Sequence, residues 1–152
     1  MTLKDRIIRL IETGGPIPVS TYMQLALHDS AQGYYATRPG LGTDFITAPE
    51  VSQVFGELIG LWVVNEWRAM GAPDSFHLVE IGPGRGTLMA DALRLAYVAG
   101  GREFADAAKL TLVEPSPELR KVQAERLSDY TPSFADTLGN VPAGPMIFVA
   151  NE

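Results

Sequence analysis

The stretch Leu78 to Leu88, LVEIGPGRGTL, decides the fold. It begins with a short apolar run containing Glu80, continues with glycines at every second position (Gly82, Gly84 and Gly86), and leads into a helix-prone run. Glycine-rich turns between a strand and a helix hold nucleotide-like cofactors, because the backbone can approach the ligand closely there. The stretch therefore predicts a strand, a cofactor-binding turn and a helix.

The sequence around this turn alternates between strand and helix patterns. Strands are predicted over HLVEIG, Lys109–Glu114, Ser133–Ala135 and Pro145–Glu152, and helices over Leu88–Val98 and from Ser116 and Pro117 onward. This order predicts an α/β fold, a Rossmann-like parallel sheet flanked by helices. The apolar runs LTLV and IFVA predict strands that are buried on both faces.

Composition argues against several classes of protein. The chain has 152 residues, enough for one domain with a sizeable core, and a net charge of −6 without a basic patch, so we expect no binding to nucleic acid. It contains no cysteine, and the two isolated histidines predict no metal site. No signal-peptide pattern and no run of about 18 apolar residues is present, so we expect a cytoplasmic protein without a membrane span.

The spacing of the glycines indicates which cofactor the turn binds. A dinucleotide-binding turn has the pattern G-x-G-x-x-G, whereas Gly82, Gly84 and Gly86 form G-x-G-x-G and follow the acidic Glu80. This pattern resembles the first motif of class I S-adenosyl-L-methionine-dependent methyltransferases. An acid beside the turn would repel a pyrophosphate, but it compensates the ammonium group of S-adenosylmethionine.

Two further acids stand where such a cofactor needs them. Glu114 ends the second predicted strand and is the expected partner of the ribose hydroxyls, although it could simply precede the helix capped by Ser116. Asp136 follows the third strand and is the candidate for the adenine amine; its alternative role is in a turn. The spacing between Glu80 and Glu114 is long, and we place the extra residues in an insertion, YVAGGREFADAA, after the helix that follows the glycine turn.

Residues 1–72 predict a helical N-terminal region. A first helix is expected to end at Gly14 and a second to begin at Ser20, followed by a loop over residues 29–47 in which Tyr35 covers the cofactor. Thr47 and Glu50 form a T-x-x-E capping box that opens a long helix ending at Gly71. We expect this helix to be buried on more than one side, and Thr47 at its N terminus to contact the cofactor.

Motifs beyond the glycine turn resemble one family. GYYATR, DFITAPEVSQVFGELIG, EIGPGRGTLMAD, VEPSPELRKVQ and the terminal FVANE occur in that order, and from about residue 17 to residue 152 the chain is similar to the MidA-like methyltransferases. Mitochondrial members of that family assist assembly of respiratory complex I by methylating an arginine of one of its subunits. The resemblance implies a protein-arginine N-methyltransferase with a protein substrate.

The resemblance also bears on Glu152 and on the extent of the chain. Arginine methyltransferases place acids just after the fourth strand, where they orient the guanidinium, and Glu152 stands there, which implies a catalytic role. The family motif normally continues past Asn151 and Glu152. We therefore expect an N-terminal fragment, in which residues 73–152 are the first half of the cofactor-binding domain.

Three other functions remain open at this point. The chain could be an NAD-type oxidoreductase, a non-catalytic assembly or scaffold protein that keeps the methyltransferase fold, or a methyltransferase acting on a small molecule or RNA. Neither the methyl acceptor nor the oligomeric state is predicted by the sequence.

Overall fold

Four parallel strands form one sheet: β1 (Phe76–Ile81), β2 (Ala108–Val113), β3 (Ser133–Ala135) and β4 (Met146–Ala150). Their spatial order is β3-β2-β1-β4. From β1 the chain adds β2 and then β3 on one side of the sheet, and it then returns to add β4 on the other side of β1. The direction in which strands are added therefore reverses at β1. In open parallel sheets the crevice at the carboxyl ends of the strands binds ligands at such a switch point. The predicted Rossmann-like parallel sheet is confirmed.

The structure is a computed structural model that describes residues 1–37 and 48–151, apart from the side chains of Tyr35 and Ala36. The chain divides into two compact units, residues 1–40 and 41–152. This division differs from the boundary expected at residue 72, because the helix before that boundary packs within the second unit.

Within its described residues, 1–37, the first unit contains three helices: α1 (Leu3–Gly14), α2 (Val19–His28) and α3 (Tyr34–Thr37). Thr2 caps α1 through a capping box with Asp5. The end of α1 at Gly14 agrees with the sequence. The second helix, expected from Ser20, begins one residue earlier at Val19, and the N-cap residue is Pro18, so the Ser20 side chain does not cap it. The loop predicted from residue 29 contains the short helix α3, and residues 38–47 lie outside the described part of the chain.

The predicted long helix from Thr47 to Gly71 is two helices, α4 (Ala48–Val51) and α5 (Gln53–Ala69). Ser52 between them has extended backbone angles, with φ −148° and ψ 121°, which interrupts the helix. Thr47 lies outside the described residues. The capping box of Thr47 and Glu50 therefore stays a prediction, and the carboxylate of Glu50 accepts a hydrogen bond from Thr87.

The expectation that this helix is buried on more than one side is wrong. The described structure leaves a set of its apolar side chains exposed: Val51, Val54, Leu58, Leu61 and Trp62. The buried face consists of Gly56, Gly60, Val63, Val64 and Trp67. Helical spacing correctly indicated an amphipathic helix, but hydropathy did not indicate which face meets the sheet.

Glycines bring α5 close to the next helix, α6 (Thr87–Ala107). A Cβ atom built on Gly60 would lie 2.1 Å from the carbonyl oxygen of Ala92, and one built on Gly56 would lie 2.6 Å from Cβ of Asp91. No side chain fits between the two backbones at these positions. The close approach therefore depends on two residues without side chains, one helical turn apart.

The helix α6 is longer than predicted, because the expected insertion after Val98 is helical. Gly101, with φ 67° and ψ −164°, breaks the helical geometry within it. Phe104 beyond the break is fully buried and contacts the rings of Trp67 and Phe76. The extra residues between β1 and β2 thus enlarge the core.

The α-helix that follows β2, α7 (Pro117–Arg126), begins as predicted. The Ser116 side chain accepts a hydrogen bond from the Leu119 amide, and Pro117 occupies the first turn. Its apolar side chains differ in exposure: Leu119 and Leu127 are buried and Val122 is exposed, while the polar Gln123 is fully buried.

The two faces of the sheet carry different cores. The larger core includes Phe76 and Leu78 of β1 together with side chains of α5 and α6, and the smaller one includes Val79, Val113 and Ala135. The prediction that β4 is buried on both faces is wrong, since Phe148 is 41% exposed. Within the described residues, no helix has the length and apolar character needed to cross a membrane.

We predict that Gly60→Ala destabilises the second unit. The added methyl group collides with the Ala92 backbone, which has no rotamer to change, so the free energy of unfolding should fall by about 2 kcal/mol or more. Thermal denaturation measures this loss. The control is Gly14→Ala, where an added Cβ meets no atom within 4 Å and the melting temperature should stay the same or rise slightly.

Candidate functional site

The turn after β1, residues 82–86, contains three glycines in left-handed backbone conformations. Their φ angles are 65° at Gly82, 55° at Gly84 and 77° at Gly86, a region that side chains with a Cβ disfavour. The Gly82 amide donates to the carbonyl of Val113 (3.1 Å), which ties the turn to β2. A Cβ atom built on Gly82 would meet no described atom within 4 Å, so a ligand has room to approach the backbone there.

Glu80 is buried at the carboxyl end of β1. Side chains alternate along a strand, so Glu80 lies on the same face as Phe76 and Leu78. Its partners in register on the two neighbouring strands are the apolar Leu112 and Val149. The side chain is 3% exposed, and Oε2 has no hydrogen-bond partner among the residues that the structure describes. Desolvation by burial raises the pKa of Glu80 to about 8.

Glu114 lies directly after β2, one strand away from Glu80. It is 5% exposed, and Oε1 accepts a hydrogen bond from the Ser116 amide at 2.8 Å. Its carboxylate therefore organises the start of α7, which is one of the two roles considered from the sequence, and its role toward the ribose stays a prediction.

Gln123 of α7 joins Glu114 to the glycine turn, and the sequence patterns did not single it out. Its Nε2 group donates to the carbonyl oxygen of Gly84 at 2.7 Å and to Oε2 of Glu114 at 3.3 Å. The side chain is fully buried, and Oε1 is unpaired within the described structure. A signal was present in the sequence: Gln123 stands between Leu119 and Leu127, at the middle of an i, i+4, i+8 apolar stripe.

Asp136 follows β3 and is paired with Arg120. The Arg120 guanidinium donates to Oδ1 of Asp136 at 2.7 Å and, through Nε, to the Glu114 carbonyl at 2.6 Å. It also lies over the Phe134 ring, 5.6 Å from the centroid. Arg120 therefore links the carboxyl ends of β2 and β3. The Asp136 side chain is 75% exposed, and its role toward adenine stays a prediction.

Thr87, the first residue of α6, links the glycine turn to two other elements. Its hydroxyl donates to Oε1 of Glu50 at 2.7 Å and accepts a hydrogen bond from the Arg126 guanidinium. The elements α4 and α7 are thus both held against the start of α6. The sequence did not indicate this contact.

The structure brings some of the predicted site residues together and leaves others untested. Glu80, the three glycines and Glu114 lie at the carboxyl ends of neighbouring strands. Thr47 and Glu152 lie outside the described residues, as does the side chain of Tyr35, whose backbone belongs to α3. Where the structure is described, no three His, Asp or Glu side chains are grouped so that they could hold a metal ion.

The chemistry of this site fits a cofactor that carries an ammonium group. Glu80 offers a buried carboxyl oxygen without a partner in the described part of the chain. A cation bound there would favour the ionised form of Glu80, and the apolar surroundings strengthen the attraction between the two charges. A pyrophosphate at the same place would face this carboxyl group. Glu114 offers acceptors at the carboxyl end of the neighbouring strand β2, where a ribose-binding acid is expected.

The sequence of the chain matches the model of a known protein family. A family model described as a putative S-adenosyl-L-methionine-dependent methyltransferase matches residues 58–152. The match includes β1, the glycine turn and all four strands, so it covers the candidate site.

Two curated relatives share a name. The chain is 51% identical over 128 residues to "Protein arginine methyltransferase NDUFAF7 homolog, mitochondrial" of Drosophila melanogaster, covering 82% of this chain and 28% of that protein. It is 47% identical over 120 residues to "Protein arginine methyltransferase NDUFAF7, mitochondrial" of Homo sapiens, covering 78% and 27%. The chain thus spans less than a third of these relatives. Their names give no support to the expected cytoplasmic location.

A solved structure has the same fold. A likely methyl transferase from Burkholderia thailandensis bound to S-adenosyl-homocysteine superimposes with a TM-score of 0.73 and 27% identity, over 96% of this chain and 39% of that one. The ligand in that structure is the product form of S-adenosylmethionine.

We predict that Glu80→Gln stabilises the ligand-free protein by an amount that grows with pH. Below pH 4.5 the carboxyl group is protonated in both the folded and unfolded states. Between pH 4.5 and about 8 only the unfolded state loses this proton, so the wild type loses about 1.4 kcal/mol per pH unit relative to the variant, about 3 kcal/mol at pH 7.

Chemical denaturation of both proteins between pH 4 and 9 measures this difference. The exposed Glu125→Gln on α7 is the matched control and should follow the wild type at every pH. A difference between Glu80→Gln and wild type that stays constant across this range would show that Glu80 is not held neutral by burial.

Proposed function

Since the chain belongs to the family of putative S-adenosyl-L-methionine-dependent methyltransferases, we propose that its β1 turn binds S-adenosylmethionine and that the protein transfers the methyl group to a protein arginine. The observation that carries the proposal is the buried Glu80 with an unpaired oxygen beside three left-handed glycines. This arrangement favours a cationic, phosphate-free cofactor over a dinucleotide.

The residues of the chain bind and orient the cofactor. The Glu80 carboxylate compensates the ammonium group of its amino-acid end, the open backbone at Gly82 allows close approach, and Glu114 accepts from the ribose hydroxyls. Asp136, whose carboxylate is paired with Arg120, is assigned to the adenine amine. When bound, S-adenosylmethionine supplies a methyl group activated by its sulfonium, whose C–S bond breaks as a bond to the acceptor forms.

The protein's main contribution to such a transfer is positioning and the exclusion of water. Glu80 is flanked within the sheet by Leu112 of β2 and Val149 of β4, and it is 3% exposed, so little water reaches it. Coverage of the cofactor by Tyr35 and by Thr47 at the start of the α4 segment stays part of the proposal.

An arginine acceptor is supported by the names of the curated relatives, which are protein arginine methyltransferases. A guanidinium is a weak nucleophile because it stays protonated, so a carboxylate that orients one nitrogen and localises the charge assists the reaction. Glu152 follows β4, which pairs directly with β1, and we assign it this role. By the family resemblance, the proposed substrate is a subunit of respiratory complex I.

We predict that calorimetric titration detects binding of S-adenosylmethionine and S-adenosylhomocysteine but not of NAD. Gly84→Val should abolish this binding, because valine is strained at a φ of 55° and its side chain stands in the turn. Gly139→Ala, at an open position, is the control and should bind like the wild type. Binding of NAD alone would overturn the proposal.

The acceptor is tested with the full-length protein. Incubated with S-adenosylmethionine and the candidate complex I subunit, it should add methyl groups to an arginine, which peptide mass spectrometry localises. A Glu152→Gln variant should bind the cofactor normally but transfer methyl groups at least tenfold more slowly. Methylation of RNA or of a small molecule but of no protein would contradict the arginine assignment.

A further inference from the structure

Gln123 lies between the two groups that hold opposite ends of the proposed cofactor. Its amide nitrogen contacts the Gly84 carbonyl at 2.7 Å and the Glu114 carboxylate at 3.3 Å. Gly84 belongs to the turn at the amino-acid end, and Glu114 belongs to the ribose end. One side chain thus contacts two groups that are far apart in sequence: Gly84 lies 39 residues from Gln123, and Glu114 lies 9 residues from it.

The orientation of this amide is set by its surroundings. Both neighbours of Nε2 are oxygens that only accept hydrogen bonds, so rotating the amide by 180° would place Oε1 against them. The side chain is fully buried and its Cγ would lie 3.6 Å from a Cβ atom built on Gly86. The amide group of Gln123 therefore has little rotational freedom. Its size and orientation set the distance between the Gly84 carbonyl and the Glu114 carboxylate.

This arrangement costs folding free energy, because Oε1 is buried without a partner in the described part of the chain. A methionine or leucine would complete the apolar stripe between Leu119 and Leu127 without that cost. The amide thus contributes something that packing does not, namely two donors that fix the Gly84 and Glu114 acceptors relative to each other.

We propose that Gln123 is a positioning residue for cofactor binding: it holds the Glu114 carboxylate and the glycine turn at the separation that the cofactor needs. The proposal rests on the proposed function of the site. Gln123 acts through Glu114 and Gly84 and does not itself contact the reacting atoms.

The test is a double-mutant cycle on the dissociation constant of S-adenosylhomocysteine, measured by calorimetry with the full chain. Gln123→Met keeps the volume and removes both donors, and should weaken binding at least tenfold, while the melting temperature falls little. Glu114→Gln alone should also weaken binding. In the double variant, Gln123→Met should add a smaller loss than it causes in the wild type, because the part of its effect that passes through Glu114 is already lost while the part that passes through Gly84 remains.

Gln24→Met, at an exposed position on α2, is the matched control and should bind like the wild type. Should Gln123→Met fail to fold, Gln123→Asn repeats the cycle with an amide too short to reach either acceptor. Two results would overturn the proposal: unchanged affinity in the folded Gln123 variant, or losses that multiply in full in the double variant. Failure of the wild type to bind S-adenosylhomocysteine would instead contradict the proposed function.

Discussion

The left-handed backbone of the glycine turn is the constraint on which the rest of the second unit depends. It lets the chain leave β1 in the middle of the sheet and enter α6 within five residues, so that α6 covers the face to which Phe76 and Leu78 contribute. The same face carries Glu80, whose neighbours in register are apolar. A carboxyl group is thereby desolvated directly beside a turn whose backbone is open to a ligand. Fold and candidate chemistry arise from one local geometry.

The turn is also the point at which other elements converge. Gln123 connects it to Glu114 through α7, Arg120 extends this connection from Glu114 to Asp136, and Thr87 holds α4 and α7 against the start of α6. The carboxyl ends of β1, β2 and β3 are therefore cross-linked by side chains of a single helix, α7. Preorganisation of this kind lowers the cost of ordering the site when a ligand binds.

Features encoded by a few adjacent residues could be predicted from the sequence: the strand that carries Glu80, the glycine turn and the Ser116 cap of α7. The buried face of α5 could not, because helical spacing shows that apolar residues share a face but not whether another element covers it. Gly56 and Gly60, which carry no hydropathy signal, make the close contact with α6. Bonds such as that of Gln123 to the turn also escape local patterns, because they join residues that only the packed fold brings together.

We propose that the buried Glu80 selects a cofactor with an ammonium group, and one comparison of affinities tests this claim directly. Calorimetry gives the dissociation constants of S-adenosylhomocysteine and of 5′-methylthioadenosine, which lacks the amino-acid end, for the wild type and for Glu80→Gln. The wild type should prefer S-adenosylhomocysteine by at least about tenfold, and the variant should lose most of this preference, since it can no longer compensate the ammonium charge. An equal preference in both proteins would contradict the claim.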